Sequence, residues 1–217
     1  NINMAYTAID NPELYFQTKT YTGNATDDTA ITLDGDENMQ PDLVWIKDRT
    51  NANHHRIYDA VRGATKVIYS SLNYAEGTAS DGLKSFDSDG FTLGDGSDEN
   101  GSGANIVAWC WKASGSTASN SSGDITSTVD ANTTAGFSIV SYTGTSSTDE
   151  TVGHSLGAAP SVVIIKNRSE SANWSVLHTS AGLTGTTLDS SAEYNMLLLN
   201  DTGAASNVSE DNIWNPT

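Results

Sequence analysis

Cysteine occurs once in this chain of 217 residues, at Cys110, so no intrachain disulfide can staple the fold. Nothing therefore points to the oxidising compartments in which small domains rely on such staples. Positive charge is scarce: ten Lys and Arg stand against 27 Asp and Glu, a formal charge of −17. A polyanion gains nothing from counterion release on nucleic acid and is repelled by an anionic membrane face, so neither is an expected partner. Long apolar runs are missing too. The longest, residues 106–111, falls far short of the ~20 residues a membrane helix needs, and no basic, apolar leader opens the sequence; membrane insertion is not expected. What the chain does have is Ser, Thr, Asn and Gly in quantity, broken by short runs containing Val, Ile and Trp. That is the composition of a β-rich protein with long turns.

The sequence repeats itself. Tyr-Thr-Gly at 21–23 recurs at 142–144, and Pro-Asp-Leu-Val-Trp-Ile-Lys-Asp-Arg at 41–49 recurs as Pro-Ser-Val-Val-Ile-Ile-Lys-Asn-Arg at 160–168. Gly63 has its counterpart at Gly182, and Leu72-Asn73 maps on Leu199-Asn200 with an offset grown to 127. Landmarks that keep their order while the offset drifts are what loop insertions between fixed strands produce. The pattern predicts an all-β fold of two tandem, related β-sandwich units. Residues 1–14 form an N-terminal segment with a short helical turn at Asn11-Pro12-Glu13, and 15–112 the first unit. Residues 113–134 form a Ser/Thr/Gly-rich linker, and 135–217 a second unit, incomplete at its C-terminus.

Strands are expected at 15–22, 29–33, 42–48, 55–59, 66–70, 90–93 and 105–112, and again at 136–142, 150–152, 161–166, 174–178 and 194–199. Pro41 and Pro160 stand just ahead of their strands, where a missing N–H costs no ladder bond. The run at 161–166 reads as a strand buried on both faces. The expected core includes Val44, Trp45, Ile46, Ile106, Ala108, Val140, Ile164 and Leu198. Strands matching 90–93 and 105–112 have no counterpart in the second unit, which leaves an unpaired edge near 194–199 to be covered by later residues or a neighbouring copy.

Candidate chemistry is thin. Asp34 and Asp36, Asp87 and Asp89, and Asp95 and Asp98 lie in three acidic loops whose oxygens would suit calcium, but none keeps the EF-hand register, and solvated turns are the preferred reading. No other cofactor is expected. His54, His55, His154 and His178 lack partners at zinc spacing, and Cys110 sits mid-strand, where burial makes a thiol inert. Ser155 lies in Gly-His-Ser-Leu-Gly, but a nucleophile elbow needs a strand before it and a helix after it, whereas a turn and a strand follow here. Trp45, Trp109 and Trp111 could stack on glycans if exposed, although flanking aliphatic residues favour a packing role. Lys47 with Arg49, and Lys166 with Arg168, recur at equivalent strand ends, where they are expected to tie down acidic loops.

The ordered blocks Tyr-Phe-Gln-Thr at 15–18, Gln-Pro-Asp-Leu-Val-Trp-Ile-Lys at 40–47, Val-Arg-Gly at 61–63, Ser-Phe-Asp-Ser-Asp-Gly-Phe-Thr-Leu-Gly at 85–94 and Val-Ala-Trp-Cys-Trp-Lys at 107–112 carry a resemblance. With Ala-Gly-Phe-Ser-Ile-Val at 135–140 and the block at 160–168, the chain resembles a β-rich domain family of tailed, largely aquatic bacteriophages found in virion and tail-fibre-like proteins. The resemblance implies a virion structural protein on the particle exterior, a tail fibre or surface appendage contributing to host attachment. Expected partners are other virion proteins, further copies in a homo-oligomer for which fibre geometry favours a trimer, and a host surface glycan or protein. A capsid-decoration or head-fibre protein is the nearest rival, and a glycan-degrading enzyme on a lectin-like sandwich the rival of another class.

No residue set satisfies the geometry that acid–base or nucleophilic catalysis demands, so the chain is expected not to be an enzyme. Purified protein incubated with host polysaccharide should release no reducing ends. Turnover that disappears on replacing a single Asp or Glu would contradict this.

Overall fold

The computed structural model describes residues 9–178, 194–202 and 206–208. A 3-10 turn at Pro12–Leu14 opens it, with the Asn11 side chain accepting the Glu13 N–H at 3.0 Å and Pro12 in the first turn, where no N–H is needed. Strands β1 (Phe16–Thr22), β2 (Thr29–Thr32), β3 (Leu43–Asp48), β4 (Arg56–Asp59), β5 (Lys66–Tyr69), β6 (Gly77–Thr78), β7 (Leu83–Asp87) and β8 (Gly90–Leu93) follow. A single helical turn, α1 (Ser97–Asn100), leads to β9 (Asn105–Trp111). Then come β10 (Ala118–Asn120), β11 (Ser127–Asn132), β12 (Phe137–Tyr142), β13 (Val162–Ile165), β14 (Ser175–His178), β15 (Tyr194–Leu198) and β16 (Ser206–Val208). The fold is all-β.

In the first unit a six-stranded sheet, β1-β9-β3-β4-β5-β6, packs on a three-stranded one, β2-β8-β7, with every pairing antiparallel. The period-two pattern decides which side faces inward. Val44 and Ile46 of β3 and Ile106, Ala108 and Cys110 of β9 are buried against Ile31, Phe91 and Leu93 of the smaller sheet. Each large aliphatic or aromatic side chain so buried contributes roughly 1.5–3 kcal/mol. Gly90 closes the β7–β8 hairpin with φ +114°, and a Cβ there would lie 2.0 Å from the Ile31 carbonyl oxygen, so only glycine fits.

Beyond Trp111 the strands form two sheets, β10-β11-β12 and β13-β14-β15-β16. The second of these repeats the β3-β4-β5-β6 meander in register. Leu43↔Asp59 becomes Val162↔His178, 119 positions on; Ile57↔Ile68 becomes Val176↔Leu197, and Val67↔Gly77 becomes Met196↔Ser206, with the later strands 129 positions on. Loop contacts follow the same offsets. Lys47 Nζ donates to the Asn53 carbonyl and Lys166 Nζ to that of Ala172; His55 N–H donates to Ser71 Oγ and Trp174 N–H to Asn200 Oδ1.

Several expectations need correcting. The offset at β5 and β15 is 129, so the Leu72–Leu199 match was two residues out of register. Residues 113–134 are not a loose linker. They carry β10 and β11, and their entry is pinned where buried Asp42 accepts the N–H groups of Ala113 and Gly115 (2.8 and 3.1 Å) and buried Asp130 that of Ser114 (2.7 Å). Residues 150–152 form no strand, only a parallel bridge between Val152 and Ile125. The 194–199 strand is not an edge, because β16 pairs with it. Val162 and Ile164 of β13 are 46% and 47% exposed, so this run is not buried on both faces. Of the other expected core residues, Val44, Ile46, Ile106 and Ala108 are buried, whereas Trp45, Val140 and Leu198 are half-buried.

Cys110 is fully buried at the centre of β9, and burial pushes its thiol up from an ordinary value near 9 to about 12. Between those values the unfolded chain gives up a proton that the folded one keeps. This contribution to stability is complete below pH 9 and is lost as pH rises toward 12, at up to ~1.4 kcal/mol per unit. Urea unfolding from pH 8 to 11 should therefore show a shallower decline for Cys110→Ala than for the parent. Parallel slopes would contradict this.

Candidate functional site

The outer face of the six-stranded sheet also carries a band of large apolar side chains. Cross-strand pairing lays Trp109, Trp45, Ile57 and Ile68 in one row over β9, β3, β4 and β5, with Trp111 and Leu43 in the next. An apolar face of this kind needs a second cover. The cover comes from the repeat. Trp174, in the turn before β14, is 4% exposed and packs with Leu199 against Ile57, Ile68, Leu43 and Trp45. Its indole Nε1 donates to the carbonyls of Tyr69 at 2.8 Å and Leu72 at 3.1 Å, which satisfies the ring's polar atom inside the contact.

Polar contacts frame this plug. The Glu76 N–H donates to the Arg168 carbonyl and the Ala172 N–H to that of Asn73, both at 2.9 Å. Glu76 pairs with Arg168 at 3.1 Å and with Arg62 at 3.2 Å, while Arg168 also donates to Ser141 Oγ at 2.9 Å. Lys166 donates to four backbone carbonyls, and burial lowers its pKa. Lys47 likewise serves a backbone carbonyl. The two lysines thus organise loops through main-chain oxygens, whereas Arg168 pairs with an acidic side chain, Glu76.

The residues singled out in the sequence are dispersed. Asp34 pairs with Lys19, and the exposed Asp36 donates its N–H to Glu13 at 2.8 Å. Asp87 accepts the hydroxyls of Ser85 and Thr92, each at 2.7 Å, and Asp89 accepts the Met39 N–H at 3.2 Å. Asp95 is exposed, and Asp98 pairs with Arg56. Among the described residues no three His, Cys, Asp or Glu side chains gather where they could hold a metal ion. Trp111 lies between Phe16, at 4.9 Å between ring centroids, and Phe137, stacked at 6.4 Å. Trp45 meets Trp109 and His55 edge-on, at 6.2 and 6.3 Å. The three tryptophans therefore spend much of their ring surface on each other and on neighbouring side chains. Ser155 sits in a left-handed turn, φ +60°, accepting from Asn120 at 2.8 Å.

A charged interior cluster around Glu99 was not visible in the sequence. Glu99 of α1, fully buried, accepts from Arg56 at 2.7 Å and from Tyr58, and its backbone carbonyl accepts from Tyr21 at 2.8 Å. Burial and the Glu99 carboxylate push both tyrosines well above their ordinary range. Asn100 beside it donates to the carbonyls of Thr26 and Gly94. These contacts pin the β8–β9 connection against β1 and β4.

Residues 11–217 match the model of the family described as "Domain of unknown function (DUF7483)", and the chain belongs to that family. No curated protein and no solved structure matches it.

Replacing Trp174 by Ala removes a buried aromatic and takes the indole N–H away from the Tyr69 and Leu72 carbonyls, of which Tyr69 keeps the Leu72 N–H. The expected cost is roughly 3–5 kcal/mol in urea unfolding, with Trp174→Phe falling between the two. Hydrogen exchange should quicken in β13–β15 while β1, β9 and β3 stay protected. Uniform loss of protection would show that the plug does not join separable units.

Proposed function

We propose that this chain is a structural subunit of a tailed-phage virion, a tail fibre or related surface appendage that contributes to host attachment. The observation that carries the reading is the Trp174 plug: one β-meander seats on the outer face of another, which is how an elongated structure is assembled from small sheets in series. The resemblance of the ordered sequence blocks to virion and tail-fibre-like proteins supports the same reading. So do the half-open edges at β12 and β13, which suit contacts with other virion proteins or with further copies, a trimer by fibre geometry.

The surface leaves room for host contact. A groove lined by Glu13, Phe16, Gln17, Thr18, Asp34 and Gly35 sets an aromatic ring beside carboxylates, groups with which proteins hold sugars. Phe16, 38% exposed, is a better candidate for stacking on a host glycan than the three tryptophans.

Electron microscopy of purified particles labelled with antibody to this chain should place it on an appendage. Label spread over the capsid in fixed stoichiometry would assign it to decoration instead. Its absence from washed particles would overturn the proposal.

A further inference from the structure

We infer that the Lys112 amine and the Asp42 carboxyl condense to an intramolecular isopeptide bond, with Asp130 receiving the proton that the amine must lose. Leu43 and Trp111 are an end pair of the β3–β9 ladder, and the Asp42 N–H still donates to the Trp111 carbonyl at 2.8 Å. Asp42 and Lys112 are therefore cross-strand neighbours one step further on, with side chains leaving from the same face. Lys112 Nζ lies 3.6 Å from Asp42 Oδ2, and the Asp42 side chain is wholly buried. Lys19 and Lys84, by contrast, meet Asp34, Asp27 and Asp28, whose side chains are 58% to 74% exposed. Those carboxylates keep their water and their charge.

The surroundings of Asp42 fit acyl transfer. Its Oδ2 accepts the N–H of Ala113 at 2.8 Å and that of Gly115 at 3.1 Å, so two backbone donors sit on the oxygen that carries negative charge in a tetrahedral intermediate. Gly115, at φ +78°, folds this turn over the amine: a Cβ there would lie 3.1 Å from Lys112 Nζ. Ser114, between the two donors, is held by buried Asp130, whose Oδ1 accepts its N–H at 2.7 Å and its hydroxyl at 2.6 Å. The other oxygen, Oδ2, is buried with no hydrogen-bond partner among the described residues. Burial holds the Asp42 carboxyl above its ordinary value although Lys112 pulls it down, and the nearby Asp130 charge adds to the rise. A neutral carboxyl is the electrophile an amine needs.

The step is redox-neutral. Lys112 passes one proton to the Asp130 carboxylate, the free amine attacks Asp42 Cγ, and the Oδ1 hydroxyl leaves as water with a second proton from the nitrogen. A C–N bond replaces a C–O bond, and an ion pair with a buried partner becomes a neutral amide, which has no charge to desolvate. The bond would tie β3 to β9 and fix the entry to residues 113–115.

The intact mass of the purified full-length chain tests this. The folded parent should be one water lighter than its sequence, and its digest should contain a branched peptide joining the Asp42 and Lys112 segments. Lys112→Arg and Asp42→Ala should each show the full mass, whether or not they fold. Asp130→Asn, judged folded by circular dichroism, should be recovered mostly unbonded; complete bonding there would overturn the part given to Asp130. A folded parent at its full sequence mass would overturn the whole inference. So would a loss of water that survives Lys112→Arg, which marks a succinimide at an aspartate instead.

Discussion

The architecture depends on an apolar sheet face that the sheet cannot cover by itself. The first unit buries its inner side in the ordinary manner of a sandwich, but Trp45, Ile57 and Ile68 stand on the other side, and water there would be costly. Trp174 resolves this by filling the face with carbon while handing its one polar atom to two main-chain carbonyls. Among the described residues, the part beyond Trp111 is tied to the first unit by that contact, by the backbone bonds and the Glu76–Arg168 pair that flank it, by the stacking of Phe137 on Trp111, and by the Ala113 and Gly115 N–H groups on Asp42.

Charge is organised by the same economy of enclosure. Five acids, Asp42, Asp48, Asp59, Glu99 and Asp130, are buried, so part of the formal −17 lies inside the molecule. Asp48 accepts from Thr50, Asn51 and Asn53 and shapes the loop after β3; Asp59 pairs with Arg62 in the turn after β4. These carboxylates act as fixed acceptors for loop backbones. A chain so rich in Ser, Asn and Gly has many N–H groups that no ladder satisfies, and buried acids are one way of meeting them.

How much of this could be read from the sequence differs from element to element. The meander strands were legible, since β-branched alternation and the 119-residue repeat both mark Leu43–Asp48 and Val162–Ile165. Strands β10, β11 and β16 were not, because Ser, Thr and Asn carry no hydropathy signal and pairing alone makes them strands. A run such as Val-Val-Ile-Ile states a capacity for burial without saying what will bury it, and so Ile164 was misplaced. Trp174 escaped notice because its counterpart in the first half is His55, and a repeat search rewards identity whereas this contact arises from a difference. The acidic loops were legible as turns, but the particular hydroxyls and N–H groups that occupy Asp87 and Asp89 depend on strands distant in sequence.

The contact between the two meanders is small beside the ladders it joins: one indole, a leucine, two main-chain bonds, a lysine on a carbonyl and an ion pair. Ladders loaded across many bonds at once resist tension far better than a compact plug that can be withdrawn in a single step. Under a pulling force applied through the two units, the plug is the element that yields first, lengthening the molecule while both sheets stay intact. Reseating needs no refolding of either sheet, so the joint would behave as a reversible mechanical fuse.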